Sequence, residues 1–372
     1  MAAGRHPEAL ELLERARAVP GHERTPEVMD AWRALGAATV RAGLRSVTPV
    51  RTFPGALSGV SVAISADGRR VAGGGEEVRL WDATNGTRLK EWEAASGAAV
   101  ALSADGRRVM ASGGGRIVMW SEPHGHWPVR LETRKPDGRW GPPGIGARGD
   151  RAAVSFGADG MLALGICGDN SLRIWDLTSG HCVRTLTGHG TWCNEVWLSP
   201  DARRAVWGGA DGEVRVWDVD AGTSLSIPHE GAWIDSVCLG ADGRHVLCAG
   251  DHRGRTLWLL DAATGAFVRS FDDVDDISPN GTSADEDRSG QVLMARLTSD
   301  GRFAVSAEQD GAVRFWETAT GRLLRTLDAH ADEVQGIALT PGDRCLLSGS
   351  TDGTLRLWEL DWDLASGTGA GG

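Results

Sequence analysis

One segment recurs seven times along the chain, each time closing on the same kind of short apolar strand. VRLWDATNG (78–86), LRIWDLTSG (172–180), VRVWDVDAG (214–222), VRFWETATG (313–321) and LRLWEL (355–360) are clear copies; IVMWSEPHG (117–125) and LWLLDAATG (257–265) are looser ones. The tryptophan position falls at Trp81, Trp120, Trp175, Trp217, Leu260, Trp316 and Trp358, with spacings of 39, 55, 42, 43, 56 and 42 residues. A self-similar period near forty that ends in Trp-Asp is the signature of four-stranded blades set around a ring, a β-propeller. The expected fold is therefore all-β and seven-bladed, with function confined to the surfaces that such a ring leaves free.

Composition fits this reading. The 52 glycines suit short strands separated by tight turns, and most of the sixteen tryptophans fall at repeat positions. A net charge of −11 argues against affinity for phosphate backbones, so no nucleic-acid partner is expected. No apolar run reaches membrane-spanning length, and MAAGRHPEALELLERARAV lacks a basic-then-apolar leader pattern. Six cysteines without C-x-x-C spacing read as reduced thiols of a cytoplasmic protein, with a Cys238–Cys248 bridge across one turn left open.

Three regions follow. Residues 1–45 read as a helical hairpin: Leu10, Leu13 and Ala16 form one stripe, and Val28, Trp32, Leu35 and Thr39 another behind a Thr25-Pro26 start. Residues 46–364 hold the blades, each with strands a to d. The a–b turns carry Asp67-Gly68, Asp105-Gly106, Asp159-Gly160, Asp201-Ala202, Asp242-Gly243, Asp300-Gly301 and Gly342-Asp343, pairs that tolerate the positive φ of hairpin turns. The last blade ends without a strand d of its own. PVRTFPG (49–55) matches strand d elsewhere, so Val50–Phe53 is expected to close the ring. Residues 365–372 lack apolar side chains and read as a disordered tail.

On these motifs the chain resembles the WD-repeat β-propeller family over roughly 46–360, and Trp32-Arg-Ala-Leu35-Gly36 resembles the opening of a tetratricopeptide repeat. The resemblance implies a hydrogen-bonded set of His, Ser or Thr, Asp and Trp in each complete blade. Blade seven fills every position with His330, Ser348, Asp352 and Trp358. Blade six keeps Ser306, Asp310 and Trp316 without the His; blade four has His189, Asp211 and Trp217 with Trp207 in place of Ser; blade three has Asp169 and Trp175. The role expected of these groups is structural, because a buried imidazole, hydroxyl and indole must satisfy one another.

No phosphate loop, H-E-x-x-H, nucleophile elbow or calcium loop is present, so neither catalytic residue, cofactor nor metal is expected. DDVDD (272–276) lacks the alternating carboxylates and glycine of a calcium site, although a bound cation there stays open. Two long d–a insertions stand out. TRKPDGRWGPPGIGARGDR (133–151) is basic and carries Arg139 and Trp140, while 271–290 is acidic, with Asp272, Asp273, Asp275 and Asp276. Both should emerge on the face of the b–c turns, nearly opposite each other. Trp192, Trp233 and Glu333 fall at one equivalent position, the entry to strand a on that same face. These nine residues are the expected partner-binding set, tryptophan being enriched at binding hot spots. The function expected is a monomeric, non-catalytic scaffold for a protein or peptide partner, with a propeller enzyme or small-ligand sensor using the central channel as the alternative. The Gly-, Ala- and Arg-rich, Lys-poor composition suggests a bacterial source, and the resemblance to propellers of such organisms implies signalling or complex assembly as the setting.

Overall fold

Strand order within one blade follows from hydropathy. In blade six, AVSAE of Phe303–Glu308 is buried throughout, AVRFWE of Ala312–Glu317 is mostly buried, and LLRTLD of Leu323–Asp328 is largely exposed. Strands with apolar residues on both faces must be covered on both, so they sit inside, and the strand with charged side chains takes the rim. The same gradient recurs blade by blade. The computed structural model describes Arg15 and residues 40–55, 61–93, 98–113, 116–121, 129–130, 154–157, 161–166, 171–187, 193–199, 201–229, 233–252, 255–271 and 291–365. Among them, seven four-stranded antiparallel sheets form the expected seven-bladed propeller. No helical element is present among the described residues, and none is long and apolar enough to cross a membrane.

The blades hold together through one recurring contact. An apolar residue near the end of strand d in one blade packs on the Trp of strand c in the next. Phe53 meets Trp81 at 5.9 Å between ring centroids, Trp92 stacks on Trp120 at 4.9 Å, and Phe271 meets Trp316 edge-on at 6.3 Å. Leu186 and Trp217, and Leu327 and Trp358, share clusters in the same way. In blade five the register position is Leu260, opposite Val246, and Trp258 two residues earlier fills the volume beside Ile227. Apart from the half-buried Trp92 and Leu327, each of these side chains is almost fully buried, which is worth about 1.5–3 kcal/mol apiece.

The closing strand lies where the sequence placed it but is much longer. Val40–Pro54 is the outer strand of blade seven and pairs antiparallel with Thr354–Ala365, from Val40 opposite Ala365 to Pro54 opposite Thr354. Val40–Leu44, inside the segment expected to be helical, is therefore strand, because these residues add hydrogen bonds to a twelve-residue partner strand. Of residues 1–39 of the hairpin only Arg15 is among the described residues, and 366–372 of the tail lie outside them. Beyond the ring, the two strands form a ribbon that folds under blade six. Trp362 packs on Phe303 at 4.9 Å, and its indole N–H donates to the Asp343 carbonyl at 2.7 Å. Arg41 reaches Asp343 at 2.8 Å, Asp300 at 2.9 Å and the Gly342 carbonyl at 2.8 Å. Burial pushes the Asp343 carboxyl up, against the opposing pull of Arg41 and of the two hydrogen bonds from Ser299.

The a–b turns obey their chemistry. In blades one, two, four and six the Asp accepts from a Ser or Thr two residues earlier, as in Ser65–Asp67 and Ser103–Asp105, both 2.6 Å, and the residue after it takes positive φ; in blade seven Gly342 and Asp343 both do. Ala202 (φ 57°) and Asp343 (φ 54°) do so without being glycine, Asp343 offset by its Arg41 and Ser299 contacts. Cys238 and Cys248 are separate buried free thiols, with burial raising Cys238 to about 11.

Trimming the chain through residue 45 removes the ribbon tip and Arg41 but keeps Phe53, whereas trimming through 56 removes the whole outer strand. The first variant is expected to remain a folded ring with a lowered melting temperature, the second to aggregate. Phe53→Ala should cost about 3–5 kcal/mol. Matching unfolding profiles for the two truncations would contradict the closure.

Candidate functional site

Blade seven assembles the four residues predicted for it into one proton chain. The Trp358 indole N–H donates to Ser348 Oγ at 2.9 Å, and Ser348 Oγ donates to His330 Nε2 at 2.7 Å. His330 Nδ1–H then donates to Asp352 Oδ2 at 2.9 Å. Every donor finds an acceptor only if the imidazole is neutral with its proton on Nδ1. Burial holds the His330 pKa down against the pull of Asp352. Asp352 is brought down to about 2; its partial burial opposes this, and the hydrogen bonds of Thr354 and His330 overcome it. The groups are consumed in satisfying each other, as a structural set requires.

Blade six lacks the histidine and solves the same problem with a residue that sequence reasoning missed. Trp316 donates to Ser306 Oγ at 2.9 Å, and Ser306 Oγ donates to Glu308 Oε1 at 2.9 Å. Glu308 is buried, and Arg314 bridges its other oxygen to Asp310. A buried carboxylate with its own cation thus replaces the imidazole as acceptor. The available signal was Glu308 two residues after Ser306, facing the same way on one strand. In blade four Trp207 occupies the Ser position, and the buried Trp217 indole nitrogen has no hydrogen-bond partner among the described residues. His189 and Asp169 lie outside the described residues.

The face carrying the d–a loops has a second feature that periodicity did not reveal. In blades four to seven, strand a breaks register at the same point, between Cys193 and Glu195, Ile234 and Ser236, Val292 and Met294, and Val334 and Gly336. A bulge there re-aims its extra residue. Asn194, Asp235 and Gln335 consequently line the channel at its mouth. Asn194 donates to the Ile234 carbonyl at 2.7 Å, tying blade four to the bulge of blade five. Sequence marked these sites only as polar residues in otherwise apolar strands.

Trp233 and Glu333 do occupy equivalent places at the rim, each one residue before the bulge pair. Trp233 is half-buried opposite Asp251, where Gly250 (φ 152°) lets the chains approach; a Cβ there would overlap the Trp233 carbonyl. Glu333 accepts from Gln309, in the b–c turn of blade six, and from Gln335, both at 3.1 Å. That contact joins a d–a entry to a b–c turn on one face. Trp192, Arg139, Trp140, Asp272, Asp273, Asp275 and Asp276 lie outside the described residues.

Within the channel is a cavity of about 400 Å³ lined by all seven innermost strands. Its wall is mostly apolar, with one charged pair: Glu195 of blade four meets Arg296 of blade six at 2.6 Å. Glu195 also accepts from the Val237 N–H at 3.0 Å, and Arg296 lies over the Trp197 ring at 4.9 Å. Burial opposes the guanidinium charge, but Glu195 and Cys238 outweigh it and hold the Arg296 pKa above its ordinary value. No histidine is among the described lining residues, and no group of described His, Cys, Asp and Glu has metal-binding geometry. The Arg and Glu that converge here neutralise each other.

The ring of seven four-stranded blades is a β-propeller, and blade seven carries the Trp–Ser–His–Asp chain that the resemblance to WD-repeat propellers implies. The family described as WD domain, G-beta repeat matches residues 47–82, 180–218 and 321–359. Each match begins in strand d of one blade and ends at the Trp-Asp strand of the next, so the sequence repeat straddles the contact that joins blades. The chain is 29% identical over 204 residues to nuclear distribution protein PAC1 of Arthroderma otae, covering 55% of this chain and 36% of that protein. It is 26% identical over 194 residues to nuclear distribution protein nudF of Aspergillus niger, covering 52% and 35%. It is 38% identical over 211 residues to the periodic tryptophan protein 2 homolog of Mus musculus, covering 56% and 21%. The matched region thus spans about a third or less of these relatives. They are fungal and murine, which overturns the expected bacterial setting. Arg-for-Lys and Ala/Gly bias follow the base composition of a coding sequence and do not identify a kingdom.

Both blade-seven titrations point the same way. His330 and Asp352 bind protons less readily folded than unfolded, so their stabilisation is complete above about pH 6.5. It is lost as pH falls, first through the histidine range and then between 3.8 and about 2. The stability advantage of wild type over His330→Gln should therefore shrink on acidification below about pH 6.5 in thermal melts. Asp352→Ala is expected to cost about 1–3 kcal/mol, and an unchanged melting temperature would contradict the chain. In blade six, Glu308→Ala should destabilise more than Glu308→Gln, whose carbonyl still accepts the Ser306 proton.

Proposed function

We propose that this chain is a non-catalytic scaffold that presents the face of its d–a and b–c loops to a protein or peptide. In this reading it acts in the cytoplasm as a monomer and engages neither nucleic acid nor a membrane. The observation that carries the reading is the series of strand bulges in blades four to seven. They give up ladder hydrogen bonds, and in blades four, five and seven they bring a polar side chain to one mouth, beside the half-buried Trp233 and Glu333. A ring built only for stability gains nothing from repeating that disruption. The relatives' name, nuclear distribution protein, describes a spatial task and not a turnover. Trp192 and Trp233 would be the apolar anchors. Arg139 and Trp140 would form one rim, and Asp272, Asp273, Asp275 and Asp276 the opposite one, with Glu333 between.

The test is capture of partners from the native host by the intact chain and by a Trp192→Ala, Trp233→Ala variant of equal melting temperature. Each substitution should weaken binding by about 1–2 kcal/mol. Neutralising the four aspartates should slow association, with less effect at high salt. A partner that binds the double variant at full affinity would place the site elsewhere on the molecule.

A further inference from the structure

The a–b turns lie on the face opposite the proposed partner rim, and they set one residue at the same point of successive blades. After the Asp-Gly-like pair come Arg69, Arg107, Arg203 and Arg244 in blades one, two, four and five, and Met161 in blade three. The backbone at this point is pinned from both sides. The arginine N–H donates to the turn aspartate, at 2.9 Å for Arg69, 3.0 Å for Arg107, 3.1 Å for Arg203 and 2.9 Å for Arg244. In blades one, three, four and five the carbonyl accepts from the N–H of Ala83, Leu177, Val219 or Ala262, just past strand c. Only the side chain is left to move, and all four arginines are exposed. Arg203 has a loose partner in the equally exposed Asp220 at 3.9 Å, and the other three make no side-chain hydrogen bond or ion pair among the described residues.

Neighbouring turns are braced into pairs. Arg70 of blade one donates to the Gly106 carbonyl of blade two at 3.0 Å, and Arg204 of blade four to the Gly243 carbonyl of blade five at 2.7 Å. Arg69 and Arg107 thus stand on one fixed base and Arg203 and Arg244 on another. Between them Arg108 reaches the Met161 sulfur at 3.8 Å, and Met161 is one of the few large apolar side chains exposed among the described residues.

The charge of this arc runs against that of the chain. Net charge is −11, yet the a–b turns of these four blades hold seven arginines against four aspartates. Asp67, Asp105 and Asp201 are drawn inward by a serine hydroxyl as well as by the arginine N–H, so the outward charge of the turns is cationic. Farther from the axis, Asp82, Asp176 and Asp261 of the c–d turns border the arc with negative charge. A continuous phosphate chain would meet those carboxylates along its length, whereas a peptide can space its own to meet the arginines alone. Arginine matches carboxylates with paired hydrogen bonds, and arginine and methionine are both enriched at interfaces.

We infer that the a–b turn arc of blades one to five binds an acidic segment of a protein partner, with carboxylates at Arg69–Arg107 and Arg203–Arg244 and an apolar side chain on Met161. This goes beyond the scaffold reading and does not depend on it, since the arc and the rim proposed for Trp192 and Trp233 are on opposite faces.

Fluorescence anisotropy with the full chain and three labelled probes tests it. One is a blocked peptide with a pair of glutamates on each side of a central leucine, the second its lysine counterpart, the third an oligothymidylate of the same charge as the first. A chain of this net charge attracts lysine without specificity, so a preference for glutamate has to come from a local cationic surface. The glutamate peptide should bind with a Kd lower than either of the others by about tenfold or more, and less tightly at high salt. Arg107→Gln with Arg203→Gln should abolish the preference, and Met161→Ser should weaken the peptide severalfold. Arg302→Gln with Arg344→Gln, the same change of charge on the turns of blades six and seven, should act far less. All four arginines are exposed, so both double variants should keep the wild-type melting temperature. Equal or tighter binding of the lysine peptide, no binding of the glutamate peptide, or equal losses in the two double variants would overturn the assignment. Tighter binding of the oligothymidylate would overturn it in favour of a nucleic acid. The Trp192→Ala, Trp233→Ala variant should bind the glutamate peptide as wild type does, so the two readings fail separately.

Discussion

The contact between the end of one blade's strand d and the next blade's strand c tryptophan is what the ring depends on. A single four-stranded sheet of this size cannot cover both of its apolar faces. Set side by side, seven such sheets cover each other, and the indoles at Trp81, Trp120, Trp217, Trp316 and Trp358 are the wide surfaces on which neighbouring blades meet. The sequence repeat matched by the family begins at strand d and not at strand a, so each repeat carries both halves of one joint. The first joint then needs a strand from the beginning of the chain, and Phe53 on Val40–Pro54 supplies it against Trp81.

Burying so many indoles creates an obligation, since each N–H needs an acceptor. Blade seven meets it through Ser348 and the neutral His330, blade six through Ser306 and the ionised Glu308 with Arg314, and in blade four Trp207 takes the space of the serine, so Trp217 has no acceptor among the described residues. An added indole in blade four gives more apolar burial at the cost of one hydrogen bond. An unmet buried N–H costs about 1–3 kcal/mol, which burial of the second indole, at about 1.5–3 kcal/mol, offsets. The three blades keep the same four-stranded fold with different chemistry at the tryptophan, so a repeat can lose its polar signature and keep its fold.

Blade number, turn positions, the closing strand and the whole of the blade-seven set were legible in the sequence, because each rests on short-range chemistry. Trp358 lies ten residues from Ser348, and Asp352 lies between them, so spacing alone aligns them. The features that were hidden depend on register or on contacts between distant blades. Nothing local to VRAGL announces a strand; Val40–Leu44 becomes one because Asp361–Ala365 lies beside it. A bulge changes no residue type, so nothing local to Asn194, Asp235 or Gln335 announces one. Glu195 and Arg296 are 101 residues apart, and only the closed ring brings them within hydrogen-bond reach.

The ring is consequently uneven in a way its repeat is not. Blades four to seven share the bulge, and blades four and six place Glu195, Trp197 and Arg296 in the channel, while the buried Ser236 Oγ of blade five accepts from the Ala295 N–H at 3.1 Å. Blades one and two have short innermost strands, Ser61–Ile64 and Ala99–Leu102, with small side chains turned to the same space. Stability does not call for this division, since a ring of equal blades would bury its tryptophans as well. The repeat fixes the outer joints, which leaves the innermost strands free to vary without unfolding the ring. Chemical individuality has accumulated there, at the channel and its mouth, and that is where a binding partner or ligand would find a surface unlike any other on the molecule.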